Sequence, residues 1–340
     1  GVETMTKAMQ EIIKENRVWY CLDCGKCGAV CPITRWEQRQ FASPRLLVEG
    51  VINLREEEAL DAPLFWSCLT CKQCSEICPS TVHFSEFIRD ARYGAQQDGR
   101  AGTCTHGGMT QTWAEMMTNP DLVQNRLGWQ NDDLRVSPDS DTIYFTGCLP
   151  YYDVAFKELA TEGIEIAQAA VKIMNHLGIE PHVFANERCC GHDQLWEGDT
   201  ETFRRLAELN LEEFAAIGAK RIVTTCPECA RTLKIDYPEF VGEHNLEVLH
   251  LAELLAQSDV DLSFEQDSLP HKTVTYQDPC RLGRHLGVYD SPRQVIAGVG
   301  YALVEMEHNR AASLCCGTSC WTSCGQVSKN IQVERLREAT

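Results

Sequence analysis

The chain reads CLDCGKCGAVCP at residues 21–32 and CLTCKQCSEICP at residues 68–79. In each stretch four cysteines are separated by two, two and three residues, and a proline follows the last one. Three cysteines in so tight a loop can reach three irons of one cubane cluster, while the fourth is turned toward another cluster. The doubled stretch therefore predicts a module that holds two cubane [4Fe–4S] clusters.

The fourth cysteine of each stretch decides which thiols share a cluster. This spacing is that of bacterial two-cluster ferredoxins, in which the fourth cysteine binds the other cluster. The first cluster is expected to take Cys21, Cys24, Cys27 and Cys78. The second is expected to take Cys68, Cys71, Cys74 and Cys31. Zinc also binds cysteine pairs, but a zinc site gives no reason for the third and fourth cysteines or the proline.

Composition narrows the class of protein. The chain has 340 residues, of which 44% are hydrophobic, so it is long enough for two or three domains. Its formal net charge of −18 argues against nucleic acid or an anionic membrane surface as partner. We expect no membrane-spanning helix and no signal peptide, since residues 1–17 are charged and amphipathic. The 19 cysteines indicate metal ligands in a reducing cytoplasm rather than disulfides.

The pattern of apolar residues changes after a polar linker at 130–141. Before it, helices are expected at 3–19, 81–97 and 111–128. After it, short strands alternate with helices, which indicates a parallel sheet covered by helices. The expected strands are Thr142–Thr146, His182–Ala185, Arg221–Thr225, Lys272–Tyr276 and Tyr301–Glu307. The expected helices are 154–177, 200–218, 227–236 and 291–299.

These patterns predict an α+β multidomain protein. A mostly helical, ferredoxin-like domain with two clusters is expected at 1–130. An α/β cysteine-rich module with parallel strands is expected at 140–260, and a second one at 270–340.

A second group of cysteines follows the expected strands of the first α/β module. Ligands of an open α/β sheet bind beyond the carboxyl ends of its strands, where helix N-termini also favour thiolates. Five thiols are therefore expected at one edge: Cys148, Cys189, Cys190, Cys226 and Cys229. A redox-active disulfide or a zinc site at Cys226 and Cys229 stays open as an alternative, although the adjacent Cys189 and Cys190 fit neither well.

With these motifs, nearly the whole chain resembles the D-type subunit of heterodisulfide reductase, in which a ferredoxin-like C subunit is fused to the cysteine-rich (CCG) B subunit. Related modules occur in the iron–sulfur subunits of glycolate, lactate and anaerobic glycerol-3-phosphate dehydrogenases. The resemblance implies that the five thiols of the first CCG module hold a non-cubane [4Fe–4S] cluster.

The second CCG module departs from this pattern. Cys280 and the pair Cys315 and Cys316 repeat the first module, but the terminal Cys-x-x-Cys would fall beyond the end of the sequence. Cys320 and Cys324 would share one face of a helix and are candidate substitute ligands. Alternatively, the natural sequence continues beyond this point. Whether a further cluster binds here stays open.

A few other side chains adjoin these motifs. Cys104 and His106 lie in a glycine-rich connector and could in principle add a ligand, but a lone cysteine is more often a packed or inert thiol, so neither is assigned to a site. His192 and Glu228 lie beside expected ligands and are candidates to tune a cluster or move protons, although solvated polar neighbours describe them better.

The leading functional hypothesis is an electron-transfer or reductase subunit of a heterodisulfide-reductase-like complex, in which electrons pass from the two cubane clusters to the non-cubane cluster. No flavin or nicotinamide motif is evident, so a flavoprotein or hydrogenase-type donor subunit is implied, and a membrane subunit stays open as a further partner. One alternative is the iron–sulfur subunit of a hydroxyacid or glycerol-3-phosphate dehydrogenase. Another is a non-catalytic wiring subunit of a larger redox assembly.

Overall fold

The computed structural model describes residues 7–37, 41–104, 106–262, 273–318 and 325–340. A helical part comes first, and short parallel strands with covering helices follow, which confirms the expected α+β multidomain class. The helices of the first part are α1 (Lys7–Glu15), α2 (Lys26–Val30), α3 (Pro32–Trp36), α4 (Pro44–Ile52), α5 (Glu56–Leu60), α6 (Pro63–Ser67), α7 (Gln73–Glu76), α8 (Phe84–Gln97) and α9 (Met109–Met117), with a 3₁₀ turn at Val18–Tyr20.

Prolines set where several of these short helices begin. Pro32, Pro44 and Pro63 each occupy the first position of a helix, where the missing N–H has no intrahelical partner to lose. Helices α1 and α8 pack together, and Asn16 donates from Nδ2 to Asp90 Oδ2 at 2.9 Å just after α1 ends. The two cysteine stretches are thereby carried on a frame of short helices.

A three-stranded parallel sheet organises the next part, with strand order β1-β2-β3. Its elements are β1 (Thr142–Phe145), α10 (Leu149–Ala155), a 3₁₀ turn (Lys157–Leu159), α11 (Gly163–His176), α12 (His192–Glu197), α13 (Thr200–Ile217), β2 (Arg221–Thr224), α14 (Pro227–Arg231), a π-helical turn (Thr232–Asp236), α15 (Tyr237–Phe240), β3 (Glu247–His250) and α16 (Leu251–Ala256). Successive strand residues alternate between two apolar cores, so both faces of the sheet are buried.

The last part contains a second, smaller parallel pair of strands. Its elements are β4 (Thr273–Val274), a π-helical turn (Arg281–His285), α17 (Asp290–Gly298), β5 (Ala302–Leu303), a 3₁₀ turn (Arg310–Ala312) and α18 (Gln326–Glu338). Cys315 and Ile331 of this part belong to the same apolar core as Phe65 and Phe87 of the first part. The final segment therefore packs into the N-terminal half of the molecule.

Some expected elements are wrong in extent. The helix expected at 154–177 is divided, because the Asp153 carboxylate accepts the N–H groups of Gly163 and Ile164 at 2.7 and 2.8 Å and so starts a new helix. The strand expected at His182–Ala185 is reduced to one bridge between His182 and Ile143.

Other boundaries are shorter than expected. Helix α9 ends at Met117, before Pro120, and not at 128. The strand expected at Tyr301–Glu307 is the two-residue β5, and Lys272, the expected start of β4, is outside the described residues. Strand β3 and helix α16 were not expected at all. The proposed domain division at 130–141 stays a prediction.

Candidate iron–sulfur sites

A small cavity lies between the two cysteine stretches. Its walls include four thiols, which are those of Cys31, Cys68, Cys71 and Cys74. One of them comes from the first stretch and three from the second. The structure thus brings together the four ligands expected for the second cubane cluster, including the crossed one.

The chemistry of this cavity fits a cluster. Burial raises the pKa of Cys31 to about 12, and it also raises the pKa values of Cys68 and Cys74. Ionising several buried thiols in one place is unfavourable unless cations share their charge, as irons of a cluster do. The pKa of Cys71 is instead lowered to about 6, first because the Cys315 thiol donates a hydrogen bond to it.

The first cubane site is closer to solvent. Cys24 is exposed, and Cys21 and Cys27 are partly buried. Burial is the main cause that raises the pKa of Cys27, and the thiols of Cys21 and Cys24 raise it further. This electrostatic effect indicates that the three thiols lie near one another. The fourth expected ligand, Cys78, follows α7, which packs against α2 of the first stretch, and its Sγ accepts the Val82 N–H at 3.4 Å.

The five thiols expected in the first CCG module also come together. Cys148 Sγ is 3.7 Å from Cys189 Sγ, and Cys190 Sγ is 3.5 Å from Cys229 Sγ. Cys226 Sγ caps α14 by accepting the Cys229 N–H at 3.5 Å. Cys148 follows β1 and Cys226 follows β2, as expected for the carboxyl edge of a parallel sheet.

A buried ion pair, which sequence reasoning missed, fixes two of these loops. The Glu187 carboxylate accepts the N–H groups of Thr146 and Gly147 at 3.1 and 2.8 Å, and it pairs with the guanidinium of Arg126. Arg126 also donates to the Gly147 carbonyl at 2.7 Å. The loop before Cys148 is therefore tied to the loop before Cys189. No sequence signal marks two isolated charged residues in loops as partners.

Two glycines leave space beside the thiols. Gly147 has φ 66°, and a Cβ there would lie 3.1 Å from Cys229 Sγ. Gly191 has φ 82°, and a Cβ there would lie 2.8 Å from the ring of Phe203. Both positions need glycine for conformation and for space. At Gly147 the main chain can therefore approach the Cys229 thiol closely.

His192 is not a solvated neighbour, so that interpretation is wrong. It is 2% exposed, and its Nδ1 lies 3.0 Å from Asp193 Oδ1 and 3.7 Å from Glu228 Oε2. Burial lowers the pKa of His192 to about 3, so the imidazole is neutral at pH 7. A neutral ring can donate from Nδ1 to the Asp193 carboxylate. His192 is thus a hydrogen-bonded wall of the first CCG site.

Three thiols of the second CCG module gather beside the second cubane site. The Cys315 thiol hydrogen-bonds to Cys71 and to Cys316, which lowers the pKa of Cys316 to about 6. Cys280 lies near Cys71 and Cys316, and burial raises its pKa to about 12. The two candidate substitute ligands lie outside the described residues: Cys320 and Cys324.

The motifs and the gathered thiols define the class: an iron–sulfur protein of the electron-transfer type. Residues 17–82 match the family described as a 4Fe-4S dicluster domain. Residues 142–234 and 274–340 match the family described as a cysteine-rich domain. The protein therefore joins the two kinds of domain that its cysteine spacings predict.

The sequence is also similar to several curated proteins. The D subunit of dihydromethanophenazine:CoB–CoM heterodisulfide reductase from Methanosarcina mazei is 33% identical over 224 residues, which are 64% of this chain and 53% of the relative. The EtfAB:quinone oxidoreductase of Syntrophomonas wolfei is 31% identical over 58% of this chain and 27% of the relative. The B subunit of a fumarate reductase (CoM/CoB) from Methanothermobacter marburgensis is 27% identical over 88% of this chain and 58% of the relative.

The resemblance to the D subunit of heterodisulfide reductase is thus confirmed. The chain spans about half the length of the heterodisulfide reductase subunits that it matches. No solved structure matches it significantly. In the part of the chain that the structure describes, no helix combines the length and the apolar character needed to cross a bilayer.

Proposed function

We propose that the chain is an electron-transfer subunit of a heterodisulfide-reductase-like complex. It would hold two cubane clusters in the ferredoxin-like part and a non-cubane cluster in the first CCG module. The observation that carries this proposal is the gathering of widely separated cysteines into thiol groups, above all Cys31 with the three thiols of the second stretch. Clusters bound at these groups would accept and release single electrons.

The exposure of the first cubane site supports the entry of electrons at this end of the protein. Cys24 of the first site is exposed, and the neighbouring side chains of Trp19, Tyr20 and Leu22 are more than half exposed. Exposed aromatic residues are typical of protein interfaces. We propose that this end is the docking site of a flavoprotein or hydrogenase-type donor subunit, within a multisubunit complex in which a membrane subunit is a further partner.

A chain of packed rings supports the next step of the route. The His285 Nε2–H donates to the Thr70 carbonyl, between two thiols of the second cubane site, at 3.0 Å. Its ring packs edge-on against Trp196, with centroids 5.5 Å apart. Trp196 stacks in turn with His192, which adjoins the first CCG site. Packed side chains thus lie between the second cubane site and the CCG site.

A second candidate function is a relay that feeds another redox partner. The range of relatives favours it, since chains named for an EtfAB:quinone oxidoreductase and for a fumarate reductase are related to this sequence. The two candidates differ in whether a disulfide reacts at the CCG site. A disulfide that perturbs a paramagnetic signal of the purified complex would support the reductase, and co-purification with a flavin-containing hydroxyacid oxidase would support the relay.

The proposal is tested by removing one CCG ligand. Cys189→Ala is expected to abolish reduction of the physiological acceptor and to leave the two cubane signals in place, because the Cys189 thiol lies beside that of Cys148 in the CCG site. Cys104→Ala is the matched control, since Cys104 accepts the Gly108 N–H within its own connector. Full acceptor reduction by the Cys189 variant would remove the CCG site from the electron path.

A further inference from the structure

Three buried arginines surround the loop of the second cubane site. Arg92, Arg281 and Arg284 are 1%, 2% and 5% exposed. Each donates to a backbone carbonyl between Cys68 and Cys71. The bonds are Arg92 Nη2 to Cys68 O at 2.9 Å, Arg281 Nη1 to Thr70 O at 3.1 Å and Arg284 Nε to Cys71 O at 2.6 Å.

Unlike the buried Arg89, Arg126, Arg231 and Arg293, these three arginines have no carboxylate at ion-pairing distance among the described residues. The buried guanidinium groups of Arg126 and Arg293, for comparison, pair with Glu187 and Asp278. A buried charge without a counter-charge is unfavourable. The loop carbonyls orient the three cations but supply no net negative charge.

The nearby carboxyl group of Glu197 does not supply the negative counter-charge. Glu197 acts on Arg92, but burial raises the pKa of its carboxyl to about 8, so it is mostly protonated at pH 7. Arg284 Nη2 is buried without a hydrogen-bond partner in the described part of the chain. Glu228 also acts electrostatically on Arg281, but no carboxylate of the described residues lies at ion-pairing distance from the three guanidinium groups.

The thiols of the second cubane site are the groups that these cations face. Arg92 and Arg281 act electrostatically on Cys68, and Arg281 and Arg284 act on Cys71. Cluster-bound thiolates are anionic, so they supply the counter-charge. The first cubane site has a different setting: Arg45 beside it is partly exposed and already paired with Asp23 at 2.6 Å.

We propose that Arg92, Arg281 and Arg284 form an arginine clamp that makes the second cubane site the electron sink of the pair. This inference rests on the proposed function, because it needs the two cubane clusters. Reduction adds one electron, and so one negative charge, to the cluster that receives it. Buried cations stabilise that more negative state strongly, since water does not screen them. An electron entering at the exposed first site therefore settles at the second.

The clamp also gives the second CCG module a role that does not depend on its own cluster. Arg281 and Arg284 belong to the segment that matches the second cysteine-rich domain. They reach across to the cubane loop in the first part of the chain. The module thereby sets the reduction potential of a site that it does not itself contain.

The test is a redox titration of the full chain with dithionite as electron donor, followed by electron paramagnetic resonance. Cys21→Ala and Cys68→Ala, which each remove one cubane ligand, assign the two signals. In the unmodified chain the second site should have the higher midpoint potential. This comparison of the two midpoint potentials needs no arginine variant. A higher midpoint potential at the first site would overturn the proposal.

Arginine variants then measure the clamp. Arg284→Met should reduce the ratio of reduced to oxidised second cluster about tenfold at fixed potential, which is a fall of about 59 mV in the midpoint. Arg92→Met and Arg281→Met should act in the same direction, so the measurement does not depend on one variant retaining its cluster. Arg45→Met is the matched control and should change neither ratio more than about threefold, because its charge is exposed and already paired.

Different results would contradict the arginine clamp and the proposed function on which it rests. Iron content and the two cubane signals of the unmodified chain test the proposed function, and their absence would sink it. If both signals are present while methionine at all three positions leaves the second midpoint unchanged, the clamp alone is wrong. Arg284→Lys, which keeps the charge, should hold the midpoint closer to the unmodified value than Arg284→Met does.

Discussion

Cys31 ends the first cysteine stretch in sequence, yet it lines the cavity of the second. Its thiol lies close enough to Cys68 and Cys71 for each to raise its pKa electrostatically, after burial as the main cause. The spacing of the motif predicts this crossing, because a fourth cysteine after three further residues is turned away from its own loop.

Replacing Cys31 tests the crossing. Cys31→Ala should remove the signal of the cluster held by Cys68, Cys71 and Cys74 and leave that of the exposed first site. The reason is that the Cys31 side chain completes the second cavity. Electron paramagnetic resonance of the reduced chain, with iron analysis, gives the answer. Loss confined to the first site would show that the ligands are not crossed.

Glu197 offers a residue-level test by pH. Its folded pKa, about 8, lies above the ordinary value of 4.5, so its contribution to stability is full below about pH 4.5 and is lost as the pH rises through about 8. Glu197→Gln stays neutral and can still accept from Gln111. The variant should therefore lose less melting temperature than the unmodified chain between pH 6 and about 8.5.

Melting curves followed by circular dichroism without oxygen measure this difference. The exposed Glu201→Gln, on the next helix, is the matched control and should leave the pH dependence unchanged. Parallel curves for the Glu197 variant and the unmodified chain would mean that the Glu197 carboxyl is already ionised in the folded state.

Sequence reasoning found the cysteines and missed the charged residues around them, for a physical reason. Metal ligands that share a cluster are constrained to short, repeated spacings, which remain visible in the sequence. Arg126 and Glu187 pair across 61 residues, and Arg284 reaches a carbonyl 213 residues away. Such contacts depend on how whole segments pack, and no local pattern records that.

At the scale of elements, Gly198 lies where two helices from different parts of the chain, α8 and α12, approach each other closely. It follows α12 with φ 108°, and a Cβ there would lie 2.6 Å from the backbone carbon of Arg92 on α8. Arg92 Nη1 donates to the Trp196 carbonyl at 2.8 Å across the same contact. Any side chain at this position would push the helices apart.

Gly198→Ala should therefore be strongly destabilising, by about 3 kcal/mol or more, because backbone strain adds to overpacking. Gly218→Ala is the matched control: φ is 71° and nothing lies within 4 Å of the added Cβ among the described residues, so only strain of about 1–2 kcal/mol is expected. Anaerobic thermal melts of both variants give the comparison. Equal losses of melting temperature would mean that α8 and α12 can separate at little cost.

Element boundaries were harder to predict than element types. The split between α10 and α11 depends on one carboxylate, Asp153, which caps the second helix although apolar periodicity runs through the break. Strand β3 is four residues long and is followed directly by the apolar sequence of α16, so no polar turn marks where the strand ends.

For the whole molecule, iron content distinguishes a complete from an incomplete second CCG module. We expect about 12 iron atoms per chain, from two cubane clusters and one non-cubane cluster of about four irons each. The module has only Cys280, Cys315 and Cys316 in the positions of the pattern. Anaerobic iron and sulfide analysis of the reconstituted chain measures the number.

A content of about 16 iron atoms would mean that a fourth cluster is bound. Cys320 and Cys324 would then be the candidate missing ligands, and replacing both with serine should lower the count again. The control is Cys104→Ser, which should leave the iron content unchanged.

The packing of the last segment against the first also bears on how the protein is made. Arg284 emerges from the ribosome 213 residues after the Cys71 carbonyl that it binds. At the usual pace of synthesis the delay is roughly 10 to 40 s. During that interval the second cubane loop lies outside the ribosome without its cations, and Cys315 has not yet reached Cys71. The surroundings of this loop are therefore complete only after translation has passed both Arg284 and Cys315.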